Sequence, residues 1–258
     1  MTAATVDSDL RVHREVEHLM GMPISLALRG RHAGTATGAA AWAAALVEMR
    51  EADAVFSTYR PESWVSRLGR GEVRLDDCPA VVREVLDLGE QACSESGGAF
   101  DVRRRGADGR RVLDPSGVVK GWAAQRAAAP LLDLDDTDVC LSAGGDMVCA
   151  VADPDRPAWR VGVEDPHALD RVVAVVPVRN GAVATSGHAR RGAHVVDART
   201  GLAPTALASV TVVGPDLTWA DIDATCALAL GAEGECWLRA RSGRSAVVVR
   251  QDGTVAAW

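Results

Sequence analysis

The hydrophobic pattern changes its period near the middle of the chain. Before residue 137, apolar residues recur at helical spacing over 35–56, 78–98 and 120–134, with an interruption expected at Pro130. Beyond it, short valine-rich segments bounded by Gly, Pro or Asp predict strands that are covered on both faces. The sequence therefore predicts an α+β fold, with mixed strands packed against several helices in a single domain over residues 1–258.

The charge balance limits the kinds of partner. The chain has 28 basic and 35 acidic residues, a net charge of −7, and no basic tract that could neutralise a polynucleotide. Nucleic acid is therefore not an expected partner. An anionic ligand must be held locally, by a metal or by backbone amides, which favours a small phosphorylated molecule.

Cysteine spacing and hydropathy predict a cytoplasmic protein. The six cysteines form no CxxC pair, and several lie in apolar surroundings, so we expect reduced thiols. The first residues lack a basic region followed by an apolar one, and no window approaches 18 apolar residues. We expect neither a leader nor a membrane span.

The segment ADIDAT carries the clearest candidate metal ligands. Asp221 and Thr225 are four residues apart at the start of an apolar helix, so both oxygens share one face and could bind a hard divalent cation. In the alternative, Thr218 caps this helix and Asp221 is an acid of its first turn. Asp223 lies about 200° around the helix from Asp221 and should not substitute for it.

Several further segments resemble, in order along nearly the whole chain, those of the FAD:protein FMN transferases, the ApbE family. They are MG at 20–21, FSTYRPESWVSRL from Phe56, SGGAFDV from Ser96, LDPSGVVKGWA from Leu113, SAGGDM from Ser142, AVATSG from Ala182, HVVDARTG from His194 and ADIDAT from Ala220. The resemblance implies an ApbE-like domain and a magnesium-dependent enzyme. Such an enzyme moves FMN from FAD, its substrate, to a threonine hydroxyl of a target flavoprotein and releases AMP.

The resemblance also implies roles for individual residues. Metal ligands would be Asp221, Thr225 and the carbonyl oxygen of Gly117. Contacts to FAD would come from Met20, Tyr59, Ala99, Phe100, Asp101, Asp114, Lys120 and Val196. Several positions depart from the family pattern. Near the proposed metal, Pro115 replaces a leucine, Ser116 a glycine and Ala224 an acid that some members carry; Trp64 stands where relatives often have an acid and Gly69 where many have an asparagine.

Some of these residues have an ordinary structural alternative. Met20 could pack in the core, and Tyr59 could be a half-buried strand residue. The segment 114–117 could be a plain Asp-Pro-Ser-Gly turn before a helix.

His194 is the candidate catalytic base. A neutral imidazole can take a proton from an attacking hydroxyl group, which is otherwise a poor nucleophile at pH 7. Its alternative is a structural histidine bonded to Asp197 or to the loop backbone. Two other functions also remain open, an FAD pyrophosphatase that yields FMN and AMP, and an FAD-binding protein without turnover.

Overall fold

An antiparallel sheet organises the protein. The computed structural model describes residues 11–103, 109, 112–190, 192 and 195–258. Its helices are α1 (Ala36–Phe56), α2 (Trp64–Gly69), α3 (Ala80–Glu95), α4 (Ser116–Leu132), α5 (Leu217–Leu230) and α6 (Gly234–Arg239). Its strands are β1 (His13–Leu19), β2 (Met22–Gly30), β3 (Thr137–Ala143), β4 (Asp146–Ala150), β5 (Trp159–Asp165), β6 (Ala168–Val178), β7 (Gly181–Gly187), β8 (Leu207–Gly214), β9 (Ser245–Arg250) and β10 (Val255–Ala257).

The strands form one large sheet and one ribbon. The sheet runs in the order β1-β2-β3-β4-β7-β8-β9-β10, and β5 and β6 pair as a separate two-stranded ribbon. Neighbouring strands are antiparallel throughout both. Helices together with antiparallel sheets confirm the predicted α+β fold. That residues 1–258 form a single domain stays a prediction.

The two faces of the sheet are covered by different elements. Alternate residues of β3 and β4, among them Leu141 and Val148, belong to the main core that also contains the buried faces of α1, α4 and α5. The intervening residues, such as Cys149, pack with Val161 and Val178 of the β5–β6 ribbon. The central strands are therefore covered on both faces, as their apolar sequences predict.

Helix α4 does not break at Pro130. The helix runs to Leu132 with the proline inside it, so the expected interruption is wrong. Proline removes one backbone donor and disturbs the carbonyl four residues earlier. Here the proline lies only two residues before the end of the helix, in a turn where Ala127, Ala128 and Leu131 are buried. Packing therefore outweighs the local preference.

Helix α5 is capped by Asp216, not by Thr218. The Asp216 side chain accepts a hydrogen bond from Trp219 N at 3.0 Å, and the helix begins at Leu217. The alternative in which Thr218 is the cap is therefore wrong, and Asp221 lies beyond the first turn. Helix α5 is buried on nearly all sides, and none of the described helices is long and apolar enough to cross a membrane.

The Asp216 cap yields a stability prediction. Replacing Asp216 with Ala leaves an N–H of the first turn without its acceptor and should lower the free energy of unfolding by about 1 kcal/mol. Urea unfolding monitored by circular dichroism measures this change. Asp216→Asn is the matched control, since its amide oxygen still accepts the bond and stability should be nearly unchanged. Equal midpoints for the wild type and Asp216→Ala would contradict the cap assignment.

Candidate functional site

A half-buried lysine between two buried aspartates forms the centre of the site. Lys120 Nζ of α4 lies 3.2 Å from Asp221 Oδ1 of α5 and is in ion-pair contact with Asp146 Oδ2, at the start of β4. Both carboxylates are only 2% exposed. The three groups come from three elements far apart in sequence, so the tertiary fold assembles the cluster.

A bare glycine allows α4 and α5 to approach this closely. A Cβ at Gly121 would lie 2.7 Å from both Asp221 Cβ and the Leu217 carbonyl oxygen, which is too close for any side chain. The Gly121 N–H donates to Asp221 Oδ2 at 3.0 Å. Residue 121 therefore positions the Asp221 carboxylate through both its missing side chain and its backbone.

Asp146 is held by the turn that precedes it and by β7. Gly144 and Gly145 connect β3 to β4 with φ of 60° and 102°, conformations that favour glycine. Asp146 Oδ1 accepts a hydrogen bond from Thr185 N of β7 at 2.9 Å. The carboxylate thus has one oxygen fixed on the sheet and the other directed at Lys120.

The cluster carries unbalanced negative charge. Burial raises the pKa of Asp221 to about 7, with a further rise from Asp146, while Lys120 and the Gly121 N–H oppose it. Burial lowers the pKa of Lys120, but attraction to Asp221 and Asp146 outweighs this, so its pKa lies above the ordinary value and the amine stays protonated. One ammonium group does not fully compensate two buried carboxylates, and a further cation would relieve the imbalance.

Thr225 and Gly117 lie next to each other beside this cluster. Thr225 Oγ1 is 2.9 Å from Ser186 Oγ of β7. A Cβ at Gly117 would lie 3.9 Å from Thr225 Cγ2 and would overlap the Phe100 ring at 2.8 Å. The structure therefore brings together the three predicted metal ligands, Gly117, Thr225 and Asp221, on facing parts of α4 and α5.

These donors suit magnesium better than zinc. The described residues contain no group of three or more His, Cys, Asp or Glu side chains arranged to hold a metal ion, so a cation would use few side-chain charges. Mg²⁺ is commonly held by one or two carboxylates and completes its shell with water and substrate phosphate. Asp221, the Thr225 hydroxyl and the Gly117 carbonyl are oxygen donors of this kind.

Two loops with predicted flavin contacts lie side by side. The Ala198 N–H donates to the Ala99 carbonyl at 2.9 Å, which joins the segment after Val196 to the segment 99–101. Ala99 and Phe100 are buried, and Asp101 Oδ1 accepts from Arg103 N at 2.7 Å. The Phe100 ring packs against Gly117, so these loops lie next to the start of α4.

Asp114 lies in the turn before α4, and Lys120 lies within that helix. Their side chains have different surroundings. Asp114 Oδ1 accepts from Ser116 N at 3.2 Å, and α4 starts at Ser116, so the segment is the predicted turn before a helix. Its contact with FAD stays a prediction. The charge of Lys120 faces two carboxylates, whereas the sequence interpretation directed it towards an anionic ligand.

Tyr59 and Met20 lie on turns. Tyr59 follows α1 and is 95% exposed, so the alternative of a half-buried strand residue is wrong. Met20 forms the β1–β2 turn with φ of 52° and is partly buried against the main core. Its contact with the flavin stays a prediction, as does that of Tyr59.

His194 is outside the described residues, and its assignment as the base stays a prediction. Asp223 lies apart from the Lys120 cluster. Asp223 is fully buried, but it pairs with Arg241 and Arg244, each at 2.7 Å. This confirms that Asp223 faces away from Asp221.

Sequence reasoning missed Asp146 and Ser186. Both lie in segments that carry the family resemblance, SAGGDM and AVATSG, but their partners are distant in sequence. The available signal was an aspartate directly after a Gly-Gly hairpin turn, where an acid precedes a buried strand. That signal does not identify Lys120 as the partner.

Comparison with known proteins places the chain in a family. The family model described as ApbE matches residues 103–249. A protein of Treponema pallidum (strain Nichols) named FAD:protein FMN transferase is 34% identical over 146 residues, covering 49% of this chain and 40% of that protein. A protein of the same name from Klebsiella pneumoniae (strain 342) is 31% identical over 131 residues, covering 47% and 37%. The match thus spans less than half the length of either relative.

Solved structures share the fold. The ApbE protein of Thermotoga maritima superposes with a TM-score of 0.79 at 20% identity, covering 96% of this chain and 97% of that one. The apo flavinyl transferase ApbE of Pseudomonas stutzeri gives 0.78 at 22% identity, covering 96% and 95%. At these identities the likeness concerns the fold alone. The family model covers more than half of the chain and includes the whole Lys120, Asp146 and Asp221 cluster, so the protein belongs to the ApbE family.

Proposed function

We propose that this protein transfers FMN from FAD to a threonine hydroxyl of a target flavoprotein, in a magnesium-dependent reaction that releases AMP. The observation that carries the proposal is the buried cluster of Lys120, Asp146 and Asp221 beside Thr225 and Gly117. It lies within the region that matches the ApbE family, and two relatives bear the name FAD:protein FMN transferase.

Two regions of this protein would bind different parts of FAD. The loops with Ala99, Phe100, Asp101 and Val196, together with Met20, Tyr59 and Asp114, would bind the FMN portion. The region of the protein that contains Asp221, Thr225 and the Gly117 carbonyl would hold Mg²⁺ next to the pyrophosphate. When bound, Mg²⁺ supplies charge neutralisation at the phosphoryl oxygens and at the departing AMP.

The side chains of the cluster prepare that position before substrate arrives. Lys120 keeps the Asp146 and Asp221 carboxylates close together, although their repulsion and burial disfavour this. Asp146 fixes Lys120 relative to the sheet through its bond to Thr185 N. His194 would accept the proton of the threonine hydroxyl, whose oxygen attacks the phosphorus atom on the FMN side.

One reaction mixture tests the activity. The protein is incubated with FAD, Mg²⁺ and a flavoprotein that carries an acceptor threonine, and AMP is quantified while a denaturing gel is inspected for covalent flavin fluorescence. The proposal expects AMP and a fluorescent target band in equal amounts, both abolished by EDTA. AMP without a fluorescent band would instead indicate an FAD pyrophosphatase. Bound FAD with neither product would indicate a binding protein.

Asp221 should be required for turnover. Asp221→Asn keeps the size of the side chain and an acceptor for the Gly121 N–H but removes the charge, and it should reduce turnover by about 10²-fold or more. Initial rates of AMP release over a Mg²⁺ titration measure the effect. Asp223→Asn is the matched control, because Asp223 is a buried acid of the same helix and pairs with Arg241 and Arg244. This variant should be less stable than the wild type but should keep the same Mg²⁺ dependence. Equal Mg²⁺ titrations for Asp221→Asn and the wild type would leave Asp221 with a structural role only.

Asp146 should affect Mg²⁺ affinity through its ion pair with Lys120 and through its own charge. Asp146→Asn retains an oxygen for Thr185 N and leaves Lys120 paired with Asp221 alone, so the cluster loses one negative charge. Apparent Mg²⁺ affinity should fall by about 10- to 100-fold, as for other groups that orient metal ligands. Asp138→Asn is the control, since Asp138 is equally buried but pairs with Arg29 and Arg156. A larger change in Mg²⁺ dependence for Asp138→Asn than for Asp146→Asn would refute this role.

His194 should affect the rate more than binding. His194→Asn should retain FAD affinity, measured by flavin fluorescence, while transfer slows by about 10²- to 10⁴-fold, as expected for a lost general base. Wild-type activity should fall in acid as the imidazole becomes protonated. Normal turnover at saturating FAD combined with weakened binding would make His194 a binding residue instead.

A further inference from the structure

Two cysteines face each other across the β3–β4 hairpin. Cys140 and Cys149 are directly paired in the register, and the Cys149 thiol donates to Cys140 Sγ with the sulfur atoms 3.8 Å apart. Both are free thiols. The pair lies on the face of the sheet opposite to α4 and α5, away from the Lys120 cluster, since both residues pack with the β5–β6 ribbon.

The register places them at a position where strands are close. The hairpin closes at the pair Ala143 and Asp146 across a two-residue turn, and the closing pair of such a turn is hydrogen-bonded. Hydrogen-bonded and non-hydrogen-bonded pairs then alternate, so Cys140 and Cys149 form a non-hydrogen-bonded pair. The Cα atoms of such pairs are about 4.5 Å apart, at the short end of the range of about 4.4–6.8 Å found in disulfides.

The surroundings give the two thiols different access. Cys149 is buried, with Gly181 of β7 as its other neighbour across the sheet, whereas Cys140 is half-buried and pairs with Ala27 of β2. The small neighbours leave room for the sulfur atoms to move together. The bond from the Cys149 thiol lowers the pKa of Cys140, against the effect of burial and with a contribution from Arg29, while the same contact and burial raise the pKa of Cys149. Cys140 is therefore the more exposed residue of the pair, and its thiolate is the more easily formed.

We propose that Cys140 and Cys149 form a reversible dithiol–disulfide pair that low-molecular-weight disulfides oxidise. The Cys140 thiolate attacks one sulfur of a small disulfide RSSR, which forms a mixed disulfide and releases RS⁻. Cys149 then gives up its proton and attacks Cys140 Sγ, which releases the second RS⁻. In total, two protein thiols and RSSR give one protein disulfide and two RSH, so the protein is oxidised and RSSR is reduced.

The proposal does not depend on the enzymatic activity. It rests on the contact, register and burial of two residues in β3 and β4, which would be the same in an active transferase, a pyrophosphatase or a binding protein. Its consequence for the fold is a covalent link between the two strands on either side of the turn that presents Asp146.

Mass spectrometry of the native full-length protein tests the pair. The reduced protein is incubated with 2-hydroxyethyl disulfide, quenched in acid, treated with N-ethylmaleimide and mapped after digestion. We expect a cross-linked peptide that contains Cys140 and Cys149, both protected from the maleimide, and its disappearance after dithiothreitol. The exposed Cys236 should carry only a mixed disulfide and shows that the oxidant has acted.

Two single variants define the order of events. Cys149→Ser should stop at a stable hydroxyethyl adduct on Cys140, and Cys140→Ser should leave the buried Cys149 reduced. A stable adduct on Cys140 of the wild type would overturn the proposal, because Cys149 would then fail to attack. The proposal would also be overturned if Cys140 and Cys149 both stayed free while Cys236 was modified. Both of these outcomes are read from the wild-type protein, so the test holds even if a variant fails to fold.

Discussion

The contact between α4 and α5 at Gly121 determines the geometry of the site. It brings Lys120 within 3.2 Å of Asp221 and buries the Asp221 carboxylate, while Asp146 reaches the same lysine from the sheet. Buried ion pairs often contribute little net stability, because desolvation offsets their attraction, and apolar replacements can be equally stable. Two buried carboxylates that share one ammonium group are still less favourable. Stability therefore does not account for this cluster, whereas binding of the proposed Mg²⁺ would.

The sheet separates this electrostatic arrangement from the smaller apolar cluster under the β5–β6 ribbon. Helices α4 and α5 lie on one face, and the β5–β6 ribbon covers the other, where Cys140 and Cys149 meet. Strands β4 and β7 contribute to both environments, because alternate residues point to opposite faces. The Asp146 side chain accepts from Thr185 N of β7, whereas the side chain of Ser186, the next residue of β7, reaches Thr225 on the helix side. One pair of strands thus supports both the charge cluster and the neighbouring hydroxyl pair.

Sequence patterns predicted what depends on local spacing and missed what depends on tertiary contacts. Asp221 and Thr225 were identifiable because a helix places residues four apart on one face, and the direction of Asp223 followed from the same geometry. Asp146 was not identified, since its partner Lys120 is brought to it only by the packing of α4 on the sheet. Local preference also gave a wrong interruption at Pro130 and a wrong cap at Thr218, because burial and the competing Asp216 side chain decided these cases.

The departures from the family pattern are consistent with this charge arrangement. Ser116 replaces a glycine, but its N–H donates to Asp114 and it begins α4, so Gly117 keeps its place beside Thr225 and Phe100. Ala224 replaces an acid that some members carry, and it is fully buried. A carboxylate at 224 would add a third buried negative charge to a helix that already buries Asp221 and Asp223. Asp221 shares Lys120 with Asp146, while Asp223 is paired with Arg241 and Arg244. With alanine at 224, the two buried carboxylates that contact Lys120 are those of Asp221 and Asp146, and two carboxylates suit an ion which takes its remaining ligands from water and substrate phosphate.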